Sequence, residues 1–168
     1  PKNEVVTIVD TNIIDGRMSV EMTGDKVINE AALGLENGTW VTFYVDNKPV
    51  QYVKKGDTTV PAYNIPDDAT GTSFKWTYKG TTACHPNSTP VVLAGMDADM
   101  YVETGYVTVT DARSLATGYK TYNGVNCMKA NGELTITAPG TYKINDEIVT
   151  TKAANEKYTV ADKNVTIV

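Results

Sequence analysis

The two side chains best suited to catalysis stand next to each other, at Cys84 and His85. A thiol becomes a strong nucleophile when a nearby imidazole takes its proton, and His85 is the only histidine of the chain. This chemistry requires the two side chains to meet in space, whereas neighbours in sequence often point apart. A general base also needs a partner that orients it, and no nearby motif supplies one. We therefore predict that His85 lies in an exposed loop over 80–90 and that the chain is not an enzyme.

Three carboxylates in the stretch MDADMYVE, at Asp97, Asp99 and Glu103, form the second candidate site. Alternating carboxylates can bind calcium, but an EF-hand loop also needs a third ligand, a glycine at its sixth position and a glutamate at its last. The sixth position here is Val102. The pattern therefore favours a surface turn. Because no phosphate-binding loop occurs either, we expect neither a metal nor a cofactor.

The aromatic residues, which include Trp40, Trp76 and ten tyrosines, offer a third kind of site. Exposed rings can form a platform that binds sugars. More often such residues fill β cores or subunit interfaces, because they combine a large apolar area with a polar handle. A core or interface role is therefore favoured, and a carbohydrate-binding module stays as the third alternative for the function.

Charge and hydrophobicity exclude two classes of partner. The chain carries a net charge of −5 and has only two arginines, Arg17 and Arg113. A nucleic-acid-binding protein usually has a basic stripe, so we expect no direct contact with nucleic acid. No apolar run approaches the roughly 18 residues that a membrane span requires, so we expect no membrane partner either.

The two cysteines, Cys84 and Cys127, lie in polar, turn-like stretches. A secreted chain would often pair them. Pairing requires Cα atoms within about 7 Å of each other, and a sequence does not reveal that distance. We favour two free thiols in a reducing compartment, and a disulfide is the alternative.

Length and composition predict the scaffold that holds these residues. A chain of 168 residues suits one domain, and Thr and Val, which favour the pleated surface of a sheet, together supply 45 residues. Short apolar or alternating runs separated by turns predict an all-β fold, a small antiparallel barrel or sandwich. A single helical turn is predicted over 25–33. The predicted strands are 17–23, 39–46, 50–53, 58–65, 73–79, 90–95, 100–111, 133–138, 140–145, 147–151, 156–160 and 164–168.

Three segments follow from this pattern. Residues 1–16 form an extended N-terminal arm, whose apolar run VVTIV could add as a strand to a sheet of this chain or of a neighbour. Residues 17–138 form the β-rich core domain. Residues 139–168 form a small β appendage or a continuation of the core, because the composition changes at Pro139-Gly140.

The order of several stretches resembles the head decoration proteins, or cement proteins, of tailed bacteriophages. GLENGTWVTF comes first, PVVLAGMDADMY follows a polar middle, and KANGELTIT comes last. In that family's pattern an acidic-Asn-Gly turn enters an early strand, an apolar strand ends near an acidic-x-Met-Tyr element, and a Gly-acidic turn leads into a final core strand. The resemblance covers residues 28–137, and its elements here are Glu36-Asn37-Gly38, Asp99-Met100-Tyr101 and Gly132-Glu133.

This resemblance implies a non-enzymatic β-rich plug that binds the outside of a capsid and bridges subunits of the major capsid protein, often as a homotrimer on a threefold axis. Such a protein is assembled in the host cytoplasm and ends on the exterior of the virion. The chain departs from the family pattern at Asp97-Ala98-Asp99, where a Pro-Glu pair often precedes Met-Tyr, and in its Thr- and Tyr-rich tail after Pro139. The implied capsid or subunit contacts are Val5, Val6, Ile8, Ile13, Glu36, Asn37, Met100 and Tyr101.

Two alternatives stay open. Glu36-Asn37-Gly38 can be a plain tight turn with a solvated Glu36, since Asn-Gly readily adopts positive φ. The whole chain can instead be a module of a Gram-positive cell-surface protein of the adhesin, S-layer or pilin-like kind, with an extracellular location. The stretch GTYKINDEIVTTKAANEKYTV is typical of such β-sandwich domains. Their self-crosslinking versions need a buried lysine, an asparagine and a carboxylate together, which the sequence alone does not place.

Overall fold

The fold is all-β, as the composition predicts. The computed structural model describes residues 8–14, 17–22, 40–56, 62–145, 147–151 and 155–168. All helix or strand assignments in these residues are β-strands, and none is a helix. The predicted all-β fold class is therefore confirmed. Among the residues so described, no helix is long and apolar enough to cross a membrane. The predicted helical turn and the contact candidates Val5, Val6, Glu36 and Asn37 lie outside the described residues.

Seventeen strands occur in the described residues, and most of the predicted strands are confirmed. The five short strands predicted between 133 and 168 are all present. Two others are shorter than predicted, since only Ala62–Tyr63 and Val91–Val92 are strands within 62–65 and 90–95. In chain order the strands are β1 (Ile8–Ile14), β2 (Arg17–Met22), β3 (Trp40–Val45), β4 (Lys48–Lys54), β5 (Ala62–Tyr63), β6 (Ser73–Tyr78), β7 (Thr81–Pro86), β8 (Val91–Val92), β9 (Met100–Thr110), β10 (Ala116–Thr117), β11 (Lys120–Tyr122), β12 (Val125–Lys129), β13 (Glu133–Ile136), β14 (Gly140–Ile144), β15 (Glu147–Thr151), β16 (Lys157–Thr159) and β17 (Val165–Thr166).

The chain forms two compact units. The first unit contains the described residues up to Ile65, together with Trp76–Thr81 and Ser88–Glu103. The second unit contains Pro66–Lys75, Thr82–Asn87 and the described residues from Thr104 onward. Strands β6, β7 and β9 therefore each contribute residues to both units.

In the first unit, five strands are hydrogen-bonded in the order β1, β2, β4, β3 and the start of β9. β3 and β4 form a hairpin whose two turn residues, Asp46 and Asn47, have φ of 50° and 65°. Positive φ at both positions matches the twist of the flanking strands. Phe43 on β3 and Val53 on β4 are completely buried. The hairpin predicted through DNKP is therefore confirmed.

In the second unit, three sets of strands share one core. The end of β9 pairs with β12 and β17, β10 pairs with β13 and β13 with β16, and β14 forms a hairpin with β15. Tyr142, Ile144 and Ile167 belong to this core, so the described part of 139–168 packs as a continuation of it. The core residues are Val107, Val109, Ala116, Met128, Leu134, Ile136, Tyr142, Ile144, Val160, Val165 and Ile167.

Each described sheet is open, so the barrel alternative is wrong. A barrel requires the first and last strands of a sheet to pair, whereas the layered core of the second unit fits the sandwich alternative. Pairing is mostly antiparallel, as predicted, but β9 runs parallel to β3 at Met100 and to β17 at Val109. β9 is 11 residues long, which lets it pair with different strands at its two ends.

The prediction of a loop over 80–90 is wrong, because Thr81–Pro86 forms strand β7. Lys79 and Gly80 have φ of 49° and 79° and make a tight turn that places β7 beside β6. Gly80 and Pro86, at the two ends of this strand, are typical of loops and hid it in the sequence. Ala83 is 1% exposed, so the segment contributes to the interior rather than to a surface loop.

Candidate contact site

Two neighbouring strands, β3 and β9, bring two tyrosines together in the first unit. The strands run parallel there, with Phe43 opposite Met100 and Tyr44 opposite Tyr101. Successive side chains of a strand point to opposite faces of a sheet, so the two pairs face opposite sides. The rings of Tyr44 and Tyr101 stack with centroids 4.9 Å apart and an interplanar angle of 2°. We call these two residues the tyrosine pair.

Burial distinguishes the two faces. Phe43 is completely buried and Met100 is 8% exposed, whereas Tyr101 is 48% exposed and Tyr44 is half-buried. The burial of Met100 contradicts its predicted role as a surface contact. The physical reason is the alternation of a strand, because two consecutive residues cannot both face outward. Of the two contact candidates in the Met-Tyr element, only Tyr101 lies on the surface.

Two carboxylates, of Asp99 and Asp46, raise the pKa of tyrosine hydroxyls in this unit. Asp99 Oδ1 accepts a hydrogen bond of 2.8 Å from the backbone N–H of Thr42, which holds the residues before β9 against β3. Burial and the Asp99 charge raise the pKa of the Tyr44 hydroxyl. Burial and the Asp46 charge likewise raise the pKa of Tyr63. Both phenols therefore stay protonated at neutral pH and can donate hydrogen bonds.

The carboxylates of the MDADMYVE stretch do not converge on a common point. Asp97 Oδ1 accepts a hydrogen bond of 2.8 Å from Tyr78 Oη and forms an ion pair of 3.0 Å with Lys79 Nζ. These two partners lower the pKa of Asp97, whereas Asp99 is bonded to Thr42. Within the described residues, no three His, Cys, Asp or Glu side chains gather where they could hold a metal ion. The described partners of Asp97 and Asp99 are thus structural.

The contact candidates Ile8 and Ile13 lie on β1. This strand pairs with β2 in antiparallel register, with Ile8 opposite Met22 and Ile13 opposite Met18. β1 stands at one end of the strand order. Ile8–Ile14 therefore adds as an edge strand to a sheet of its own chain. Its addition to a sheet of a neighbouring molecule stays a prediction.

The candidate catalytic residues take separate positions in the second unit. The imidazole of His85 packs against Phe74, with ring centroids 5.8 Å apart, and His85 is half-buried rather than exposed. The thiol of Cys84 packs against Cys127 and Tyr106 in a small buried cluster. Both cysteines are free and buried. We call Cys84 and Cys127 the thiol pair; free thiols were predicted, but their meeting was not.

Two hairpin turns carry the signal that could have predicted the two strands on which the thiol pair lies. Lys79-Gly80 begins β7, which carries Cys84, and Asn123-Gly124 begins β12, which carries Cys127. The turn residues all have positive φ, and Asn123 and Gly124 have φ of 49° and 80°. An X-Gly turn between two polar runs is a hairpin signal even where the strands lack strong apolar alternation.

A cavity of about 330 Å³ lies beside the thiol pair in the second unit and is lined in part by Cys127. Lys75 Nζ lies 5.4 Å from the ring centroids of both Tyr106 and Tyr122, and Lys129 Nζ lies 4.7 Å from that of Tyr106. These are cation–π distances. Among the described lysines, Lys75 is half-buried and the others are exposed. The described residues thus contain no buried lysine of the kind that self-crosslinking surface domains need.

The position of the tyrosine pair on a firmly paired sheet is the feature most readily interpreted as a contact surface. The thiol pair and its cavity are the features most readily interpreted as a chemically reactive site. Comparisons of this chain with protein-family models, with curated proteins and with solved structures found no match.

Proposed function

We propose that this chain is a non-enzymatic decoration protein that binds the outer surface of a tailed-bacteriophage capsid. It acts by bridging neighbouring subunits of the major capsid protein, and it binds as a homotrimer on a threefold axis. The resemblance of three stretches to head decoration proteins suggests the partner. The observation that carries the contact role is the tyrosine pair, because Tyr101 is 48% exposed although it is fixed in a ring stack.

The tyrosine pair is preorganised for binding. Aromatic residues are enriched at the centres of protein interfaces, where they supply large contact area. Tyr44 and Tyr101 already hold one ring arrangement before binding, so little side-chain freedom is lost when a partner covers them. Their hydroxyl groups can donate hydrogen bonds to carbonyl or carboxylate oxygens of the partner.

The net negative charge of the chain suggests that the partner surface is basic. The chain has a net charge of −5, and the Asp99 carboxylate lies close enough to the tyrosine pair to raise the pKa of Tyr44. A partner patch that carries lysine or arginine would complement this surface and accelerate association at low salt. We therefore expect binding to weaken as the ionic strength rises.

Bridging explains stabilisation without catalysis. A protein that binds only where adjacent capsid subunits are correctly placed stabilises the assembled lattice by mass action. Closed symmetry of the bound copies would match a threefold position of the shell. Eleven buried residues pack together in the core of the second unit, so that unit can be rigid when it is bound.

The proposal predicts that Tyr101→Ala weakens binding to capsids by about 30-fold, the effect of losing an interface hot spot. The measurement is co-sedimentation with undecorated heads of the phage whose major capsid gene neighbours the gene for this chain. Tyr101→Phe should bind nearly as well as the unaltered protein, because it keeps the ring. Thermal unfolding of Tyr101→Ala should show only a modest loss of stability, about 1 kcal/mol, from the lost ring stack.

Val92→Ala provides the matched control. Val92 is 53% exposed in the first unit and is not part of the tyrosine pair, so its removal should leave binding unchanged. Equal binding by Tyr101→Ala and Val92→Ala would refute the contact role of the tyrosine pair. Failure of the unaltered protein to co-sediment at micromolar concentration would refute the capsid partner, and binding to purified Gram-positive cell walls would favour the cell-surface alternative.

A further inference from the structure

We propose that Cys84 and Cys127 form a reversible intramolecular disulfide, a covalent modification site inside the second unit. Cys84 is 4% exposed and Cys127 is 1% exposed, and both pack in one cluster with Tyr106. The two thiols are free in the structure. The proposal concerns the second unit alone and does not depend on the identity of the partner bound by the first unit.

The surroundings hold the two sulfur atoms together. Cys127 lies on β12 and is paired with Thr108 of β9, and Cys84 lies on β7, which is paired with β6. Tyr122 and Val125 pack against the thiol pair from the outside. The two side chains pack in one buried cluster, so bond formation requires the two sulfur atoms to approach to the disulfide length of about 2.05 Å.

The electrostatic setting gives the two thiols different roles. The hydrogen bond with Cys127 and the positive charge of Lys75 lower the pKa of Cys84. The hydrogen bond with Cys84 and burial raise the pKa of Cys127. Of the two thiols, Cys84 is therefore the one that loses its proton more readily and attacks an oxidant.

The cavity brings a small oxidant to the Cys127 side of the thiol pair, and Cys84 packs against Cys127 in the same cluster. The cavity has a volume of about 330 Å³, and Cys127 and Lys75 both line it. Hydrogen peroxide is far smaller than this volume and fits the polar lining, to which three lysines and two tyrosines contribute. A bulky reagent would be held out, because the sulfur atoms themselves are buried.

The reaction balances with a peroxide as the oxidant. The Cys84 thiolate attacks one peroxide oxygen, the O–O bond breaks, and Cys84 becomes a sulfenic acid while hydroxide leaves. The sulfur of Cys127 then attacks the sulfenic sulfur, forms the S–S bond and releases the sulfenic oxygen as water after taking up the Cys127 proton. The hydroxide takes the proton that Cys84 had lost, so two thiols and one peroxide yield one disulfide and two waters.

The test uses the purified full chain, reduced and then treated with hydrogen peroxide. We expect the intact mass to fall by the mass of two hydrogen atoms. Iodoacetamide should no longer label either cysteine after unfolding in denaturant, and dithiothreitol should restore both labels. Peptide mapping should show one peptide pair joined through Cys84 and Cys127. Cys84→Ser and Cys127→Ser should each abolish this loss of mass.

Lys75→Gln tests the electrostatic part of the proposal. This variant should form the same disulfide more slowly at neutral pH, and the difference should shrink as the pH rises, because the thiolate then forms without help from the ammonium group. Three outcomes would overturn the proposal: both thiols remain open to labelling after prolonged treatment with excess peroxide, oxygen atoms add without a crosslink, or the crosslink joins two separate chains.

Discussion

Gly71→Ala will lower the free energy of unfolding by about 3 kcal/mol or more, because it combines backbone strain with a steric clash. Gly71 has a φ of +80°, and a Cβ atom there would lie 2.4 Å from the carbonyl oxygen of Tyr106. That oxygen is not free to move, since it accepts a hydrogen bond of 2.9 Å from the backbone N–H of Thr72. Urea unfolding followed by circular dichroism measures the change.

Gly124→Ala is the matched control for this prediction. Gly124 belongs to the same unit and also has a φ of +80°, but a Cβ atom there would meet no atom within 4 Å. It should therefore show only the cost of positive φ, about 1 kcal/mol. If the two variants lost equal stability, the close approach of Gly71 to β9 would play no part in holding the second unit together.

Asp111→Ala will lower the free energy of unfolding by about 3 kcal/mol, because it leaves buried hydrogen-bond donors without an acceptor. Asp111 is 6% exposed. Its carboxylate accepts hydrogen bonds from the backbone N–H groups of Leu115 at 2.8 Å and Ala116 at 3.0 Å, and from Tyr119 Oη at 2.8 Å. These bonds close the turn between β9 and β10, so a thermal or chemical unfolding curve will report their loss.

Two further variants separate the contributions at Asp111. Tyr119→Phe removes one donor and keeps both backbone bonds, so it should cost about 1 kcal/mol. Asp162→Ala, at an exposed position of the same unit, should change stability by less than about 0.5 kcal/mol. An Asp111→Ala variant as stable as Asp162→Ala would show that the buried carboxylate does not organise this turn.

The strands were predictable where apolar and polar residues alternate, as they do around Val107 and Val109 on β9. Both residues are buried, as a strand with one inner face requires. The partners of β9 were not predictable, because alternation shows which face is buried but not which strand lies alongside or in which direction. β7 was missed for a related reason: Gly80 and Pro86 at its two ends are typical of loops, and its strand form depends on pairing with β6.

The proposed contact site was only partly predictable. Tyr101 was identified from the acidic-x-Met-Tyr element, and Met100 was wrongly placed with it, although strand alternation already separates the two. Tyr44 was missed, because its position opposite Tyr101 depends on the parallel register of β3 and β9. The thiol pair was missed for the same kind of reason, since Cys84 and Cys127 meet only through the packing of distant strands.

The thermal stability of DNA-filled heads that lack decoration tests the proposed function most directly. The temperature at which these heads release their DNA should be measured with increasing concentrations of the purified chain. We predict that this temperature rises, that the rise saturates when the sites are filled, and that Tyr101→Ala requires about 30-fold more protein for the same rise. A release temperature that stays constant up to saturating concentrations would contradict the proposal that this chain stabilises capsids by bridging their subunits.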